Sequence, residues 1–315
     1  MEPSASDNPK LAIGAILLAC LALSLGDALI KQSSARFVIW QIFVLRSAMV
    51  IPFLIYFVRI HGCEATIMPL HAGWTLLRSL ILVSMWIFYF AALPHIELAT
   101  AAAAYYTLPL FIVLFAALLL GESITGGGWI ALALGFSGAL LILQPQADDF
   151  DGYALLPIAA AVCYAAAMIL TRAKCRNERS TVLSLWLNLT FAGVGAVVLG
   201  VLNLWQPPAD SVSVNPFLFG AWTPMSADGW RVMAILAGAI FVGSVGAAVA
   251  YQNGPSSLVA IFDFSYLGFA VVWGSLLFGE LPTLVTAGGM VLIAVAGIIA
   301  ILRGSAQKRA NRGSG

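Results

Sequence analysis

Charge is what this chain is short of. Charged residues make up 9% of its 315 positions, against about 25% in a soluble domain. A chain so poor in charge cannot cover itself with a polar surface. The two signs also balance, with 15 Lys and Arg against 14 Asp and Glu. A net charge of +1 offers no basic face for nucleic acid. Cysteine is scarce and scattered. Cys20 and Cys163 lie inside apolar runs, and Cys63 and Cys175 lie in connections. They form no C-x-x-C spacing, so neither a disulfide framework nor a metal site is expected. No cofactor is expected either. Period-2 alternation is missing too, which removes a membrane β-barrel.

Apolar runs are what the chain has. Hydrophobic residues make up 61% of it, and a spanning helix needs roughly 20 of them in succession. Ten runs qualify as candidates. The first five are Leu11–Ile30, Phe37–Val58, Gly73–Leu93, Leu98–Leu120 and Thr125–Leu143. The second five are Tyr153–Thr171, Thr181–Leu204, Trp230–Tyr251, Ser257–Gly279 and Thr283–Leu302. The expected class is an all-α polytopic membrane protein. The first run is too long for a signal peptide and has no convincing cleavage site, so it reads as a retained helix. The tail 303–315 is polar and basic and reads as disordered.

Basic residues set the expected orientation. With both termini in the cytoplasm, the inside receives eleven: Lys10, Arg59, Arg78, Arg172, Lys174, Arg176, Arg179, Arg303, Lys308, Arg309 and Arg312. The outside receives three: Lys31, Arg36 and Arg231. Arg46 remains within the bilayer. The polar insert 205–229 then lies outside.

One pattern occurs twice. The runs ending at Glu122 and Glu280 both close on Gly-Glu, and each precedes a glycine-rich apolar run. Such self-similarity signals an internal repeat. Arg46 aligns with Asn188, and Glu122 aligns with Glu280. Five helices per copy is an odd number, so the second copy is expected upside down. Inverted repeats characterise secondary transporters, whose substrate site lies near the midplane between the halves.

These features resemble the drug/metabolite transporter superfamily with two EamA-type domains. The resemblance rests on Gly121-Glu122, Gly279-Glu280, the glycine-rich helices after them, and the arginine of the second helix. Val44-Leu45-Arg46-Ser47, Leu76-Leu77-Arg78-Ser79, Leu108-Pro109-Leu110-Phe111 and Phe278-Gly279-Glu280-Leu281-Pro282 look most like the S-adenosylmethionine and riboflavin transporter groups. The resemblance implies ten helices, with repeats over 11–144 and 153–302 and a basic cytoplasmic tail over 303–315. It also implies a multi-pass protein of the bacterial inner membrane, with a central cavity that moves small organic solutes by alternating access. Candidate substrates are S-adenosylmethionine, riboflavin and amino-acid-like metabolites.

Ionisable groups inside a membrane are costly, so each is a functional candidate. Arg46 lies ~14 Å from the outer end of its helix. It reads either as a fixed positive charge for a carboxylate, which a guanidinium can hold at two points, or as a structural partner of Asp27 or of helix carbonyls. Asp263 replaces Tyr105 of the other repeat. It reads as a cation or proton site, or as the ion-pair partner of Arg78. Counted from their helix ends, Arg78 and Asp263 share a depth of about 8–9 Å. Asp27 reads better as a helix-end contact. Tyr105, Tyr106, Tyr266 and Asn188 complete the candidate substrate site. Pro109 is a candidate hinge. Glu122 and Glu280 read as structural groups at helix ends.

Other classes fare worse. Gly135-Phe136-Ser137-Gly138 matches the GxSG string of membrane serine proteases, and an intramembrane hydrolase using Ser137 is the alternative. It would need a nearby base, yet all three histidines (His61, His71, His95) lie in connections upstream. Small residues on a packing face explain the string as well. No filter-like sequence points to a channel. The expected function is secondary transport of a small organic metabolite, driven by protons or by exchange, with no covalent chemistry.

Overall fold

A computed structural model describes residues 8–60, 67–120, 126–143, 152–175, 177–253, 259 and 262–313. All regular structure among them is helical. The first half contains α1 (Pro9–Ser33), α2 (Ile39–Ile60), α3 (Ala72–Ala92), α4 (Leu98–Tyr105), α5 (Leu108–Leu120) and α6 (Gly126–Leu143). The second contains α7 (Leu155–Lys174), α8 (Ser180–Trp205), α9 (Ala209–Val214), α10 (Pro216–Phe219), α11 (Ala227–Asn253), α12 (Ser265–Phe278) and α13 (Leu284–Gly313). Among the described residues, seven helical stretches are long and apolar enough to cross a membrane. Three shorter apolar helices, Leu132–Leu143, Ser265–Phe278 and Leu284–Ile299, accompany them.

Two local findings depart from the sequence reading. The run expected as one helix over 98–120 is broken at Tyr106-Thr107, between α4 and α5. Pro109 explains the site of the break: it has no N–H to give the carbonyl of residue 105. The last helix continues through the basic tail to Gly313 rather than ending at Leu302. Ala, Gln, Lys and Arg are good helix formers, and cations suit a helix C-terminus.

The helices pack chiefly across the halves. α1 lies on α11, α2 on α8, α3 on α7, α4 on α12, and α6 on α13. Matching each span of the first half with the span of the same rank in the second maps this set of partners onto itself. Lipid gives apolar faces little reason to associate, so small residues that permit close approach set the interfaces. Ala99 and Ala101–Ala104 of α4 are buried throughout. Gly138 of α6 and Gly289 of α13 meet backbone to backbone: a Cβ on Gly138 would lie 2.8 Å from the Gly289 carbonyl oxygen, and one on Gly289 would lie 2.7 Å from that of Gly138.

The start of each helix in the α2–α8 pair is fastened to the connection that trails the other. Trp40 Nε1 donates to the Leu218 carbonyl at 2.7 Å, and the Gln41 amide exchanges two hydrogen bonds with the Thr223 backbone. At the opposite end, Trp186 Nε1 donates to the Ile67 carbonyl at 3.1 Å. Glu178 there accepts from the backbone N–H groups of Leu70 and His71. The insert between α8 and α11 is therefore not free: α9 and α10 lie within it, and Asn215 bonds both His95 and Tyr153.

Candidate functional site

The site is built where two helices are interrupted. Tyr106 and Thr107 separate α4 from α5, and Phe264 is a turn residue between helical Asp263 and α12. By the alignment that places Glu122 on Glu280, residue 106 matches residue 264. The interruptions thus fall at the same point of the two repeated runs. α4 packs on α12, so the breaks bring their aromatic residues together. The Tyr106 ring stacks on Tyr266 at 5.2 Å between centroids, and Phe264 lies at 5.5 Å. Tyr105 contacts Tyr89 of α3 at 5.2 Å and Tyr164 of α7 at 6.1 Å. Trp86 joins from α3, edge-on to Tyr89.

Two carboxylates flank this aromatic group. The Tyr266 hydroxyl donates to Asp27 Oδ2, and Tyr89 and Tyr266 hydroxyls lie 3.2 Å apart. Asp27 is buried, so these contacts place it inside the site rather than at a helix-end contact with water. On the other flank, the Cys20 thiol donates to Asp263 Oδ1 at 3.3 Å and lies 3.5 Å from the Asp263 carbonyl. The Tyr106 hydroxyl also donates to that carbonyl, at 3.2 Å. Asp263 thus lies beside the middle of α1.

Arg46 is 1% exposed. Its guanidinium lies over Phe191 at 4.8 Å and Phe43 at 5.7 Å. Nε and Nη2 are buried without a hydrogen-bond partner. These two N–H groups form one edge of the guanidinium fork, the edge that fits a carboxylate. Arg46 and Asp27 line one small cavity with Trp86, Phe90 and Ile30. Its volume is about 10 Å³, room for one water-sized sphere. No ion pair joins Arg46 to Asp27 among the described residues.

The remaining candidates separate from this centre. Arg78 Nε donates to Thr171 Oγ1 at 2.7 Å, and no ion pair joins Arg78 to Asp263 among the described residues. Asn188 is buried on α8 and donates to its own helix at the Ser184 carbonyl. Pro109 stands two residues past the first break. Glu122 lies outside the described residues. Ser137 is exposed and donates to the Ala133 carbonyl of its own helix at 2.8 Å. The GxSG string therefore serves close packing, since its last glycine is the one that meets Gly289.

Glu280 has a defined task. Gly279 adopts φ +67° after α12, a conformation that favours glycine. The chain turns there, and Glu280 accepts from Lys31 Nζ and from the Leu98 N–H at 3.0 Å. Lys31 Nζ also donates to the Ile96 carbonyl at 2.7 Å. One side chain thus caps α4 and ties α1, α4 and α12 at one end of the bundle. Sequence reasoning left Lys31, Cys20 and Tyr164 out of the site. Lys31 was recoverable, because it and Glu280 are opposite charges that both stand at the ends of apolar runs. Cys20 and Tyr164 carry no such signal inside apolar runs.

The EamA-like transporter family matches residues 10–144. A riboflavin transporter of Vibrio cholerae is 25% identical over 272 residues, covering 85% of each chain. The pseudopaline exporter CntI of Pseudomonas aeruginosa is 27% identical, over 89% of this chain and 93% of its own. An S-adenosylmethionine uptake transporter of Rickettsia bellii is 23% identical, over 90% and 91%. A solved crystal structure shares the fold with a TM-score of 0.61 at 19% identity, over 93% of this chain and 95% of its own. An EamA-like transporter domain thus covers residues 10–144, and relatives that align along most of the chain are named as transporters and an exporter, not as enzymes.

Proposed function

We propose that this protein is a secondary carrier that moves a small amphipathic organic metabolite by alternating access. Ten spans form two inverted five-helix repeats, over 11–144 and 153–302, in a bacterial inner membrane with both termini cytoplasmic. The reading is supported by helix partners that map onto themselves when the halves are exchanged. The observation that carries it is the pair of interruptions at Tyr106-Thr107 and Phe264. Interrupted helices at corresponding points of two repeats are where carriers place their substrate.

Substrate meets Tyr105, Tyr106 and Tyr266 as flat apolar walls, with Asp27, Asp263 and Arg46 as charges that fix its orientation. Asn188 lies on the helix facing Arg46. Asp263 serves as the coupling group, driven by protons or by exchange. Relatives named for riboflavin, S-adenosylmethionine and pseudopaline supply the first panel of solutes. The test is flux of that panel into proteoliposomes. Arg46→Ala and Asp263→Asn are each expected to abolish transport without loss of membrane insertion. Undiminished flux in both variants refutes the assignment of the site. A proton gradient that drives the parent and not Asp263→Asn identifies the coupling group.

A further inference from the structure

The charges in the site form no direct ion pair among the described residues, and their arrangement selects a ligand. At one end the Nε and Nη2 groups of Arg46 form a fork without a hydrogen-bond partner, deep in the protein. A buried donor left unpaired is costly, and more so when charged. Asp27 faces the same cavity but takes the Tyr266 hydroxyl. At the other end Asp263 takes a thiol, a weak donor, and no ion pair to it occurs among the described residues. Ser265 Oγ beside it is likewise buried without a partner. The Tyr106 hydroxyl donates to the backbone carbonyl of Asp263, and the Phe264 ring lies against Tyr106. A carboxylate attracts a cation by charge, and aromatic rings nearby add to that attraction.

The spacing between the two ends follows from α1. Cys20 touches Asp263, and Asp27 shares the cavity of Arg46. Seven residues separate Cys20 from Asp27. That is two helical turns, so they lie on one face ~10 Å apart. The stacked rings of Tyr106 and Tyr266 occupy the span between.

We infer that the transported solute is a long zwitterion, with a carboxylate on Arg46 and a cationic group at Asp263 about 10 Å away. An α-amino acid does not fit this description, because its two charges share one carbon. The inference rests on the carrier reading above and narrows its substrate. The cavity here is too small for such a ligand, so binding requires the tyrosine rings to part. The interruptions on either side of them supply the freedom to do so.

The experiment uses purified full-length protein and a series of ω-amino carboxylates: 4-aminobutyrate, 6-aminohexanoate, 8-aminooctanoate and 10-aminodecanoate. A ligand that binds only the folded state raises the melting temperature. The rise should peak at 8-aminooctanoate, whose ends match the ~10 Å spacing. Its methyl ester and its N-acetyl derivative should each lose the rise. Arg46→Lys keeps the charge but removes the fork, and should weaken 8-aminooctanoate binding at least tenfold while leaving the methyl ester no weaker than before. Asp263→Asn should abolish the advantage of the free amine over the N-acetyl form. A rise independent of chain length, or equal stabilisation by the neutralised derivatives, overturns the inference. Flux of an uncharged solute without any response to the series leaves the carrier reading standing and sinks this one. A length-selective response in a protein that moves no solute does the reverse.

Discussion

Removing the carboxylate of Glu280 should release one end of the bundle. Glu280 holds Lys31 of α1 and the first N–H of α4, and the two charged side chains are only 22% and 10% exposed. A hydrogen bond to a charged group is worth about 1.5–3 kcal/mol, and a lost N-cap costs about 0.5–2 kcal/mol. Glu280→Gln keeps an oxygen for the Leu98 N–H and loses the charge. It should therefore cost about 2 kcal/mol, and Glu280→Ala about 2–4 kcal/mol. If the tie exists only when that end is closed, a loss of about 2 kcal/mol shifts the closed-to-open ratio by roughly 30-fold.

The assay is a double-mutant cycle of Lys31→Ala and Glu280→Ala, read by unfolding in detergent. Labelling of an Ile30→Cys variant by an impermeant maleimide accompanies it, in a background with the native cysteines replaced. Ile30 lines the cavity beside Asp27, so its labelling reports opening. A coupling of at least 1 kcal/mol and faster labelling in Glu280→Gln are expected, about the size of a charge-assisted bond. A coupling indistinguishable from zero, with unchanged labelling, refutes the reasoning.

Two further outcomes follow from packing and from the fastened connections. Gly138→Ala should lower the melting temperature of the protein in detergent, at a cost of about 1–3 kcal/mol, because the new methyl meets the Gly289 backbone rather than a yielding side chain. Gly14→Ala, where a Cβ has open space, should leave it unchanged. Gln41→Ala removes both bonds to Thr223. It should make the insert 205–229 more sensitive to limited proteolysis, while Gln206→Ala at the surface should not.

Much of the fold was legible because membranes demand long apolar helices. The apolar runs, their order and the repeated Gly-Glu endings follow from residue type alone. Gly279 and Glu280 even carry their own reason: glycine permits the turn that aims the carboxylate back. The break at Tyr106-Thr107 was half visible, since Pro109 marked a weakness but not which side of it would open. The break at Phe264 had no proline to announce it. The site was harder. Arg46, Asp27 and Asp263 stand out as charges among apolar residues, but a sequence gives no distances between helices. Hence Asp263 meets Cys20, Arg78 meets Thr171, and the alternative pairing of Arg78 with Asp263 does not form among the described residues. Tyr164 and Cys20 are indistinguishable from core residues until the helices are placed.

The reciprocal fastening of α2 and α8 has a consequence for biogenesis. Trp40 and Gln41 leave the ribosome long before Leu218 and Thr223, the groups that satisfy them, which lie 178 and 182 positions further along. At about 5–20 residues per second of synthesis, the first half of the chain waits on the order of ten to forty seconds with those side chains unanswered. During that interval the early half must be sheltered by lipid, by the insertion machinery, or by water at the bilayer surface. Sequence changes that weaken neither half alone can thus still reduce the yield of inserted protein, by lengthening the wait or by misplacing the connection that ends it.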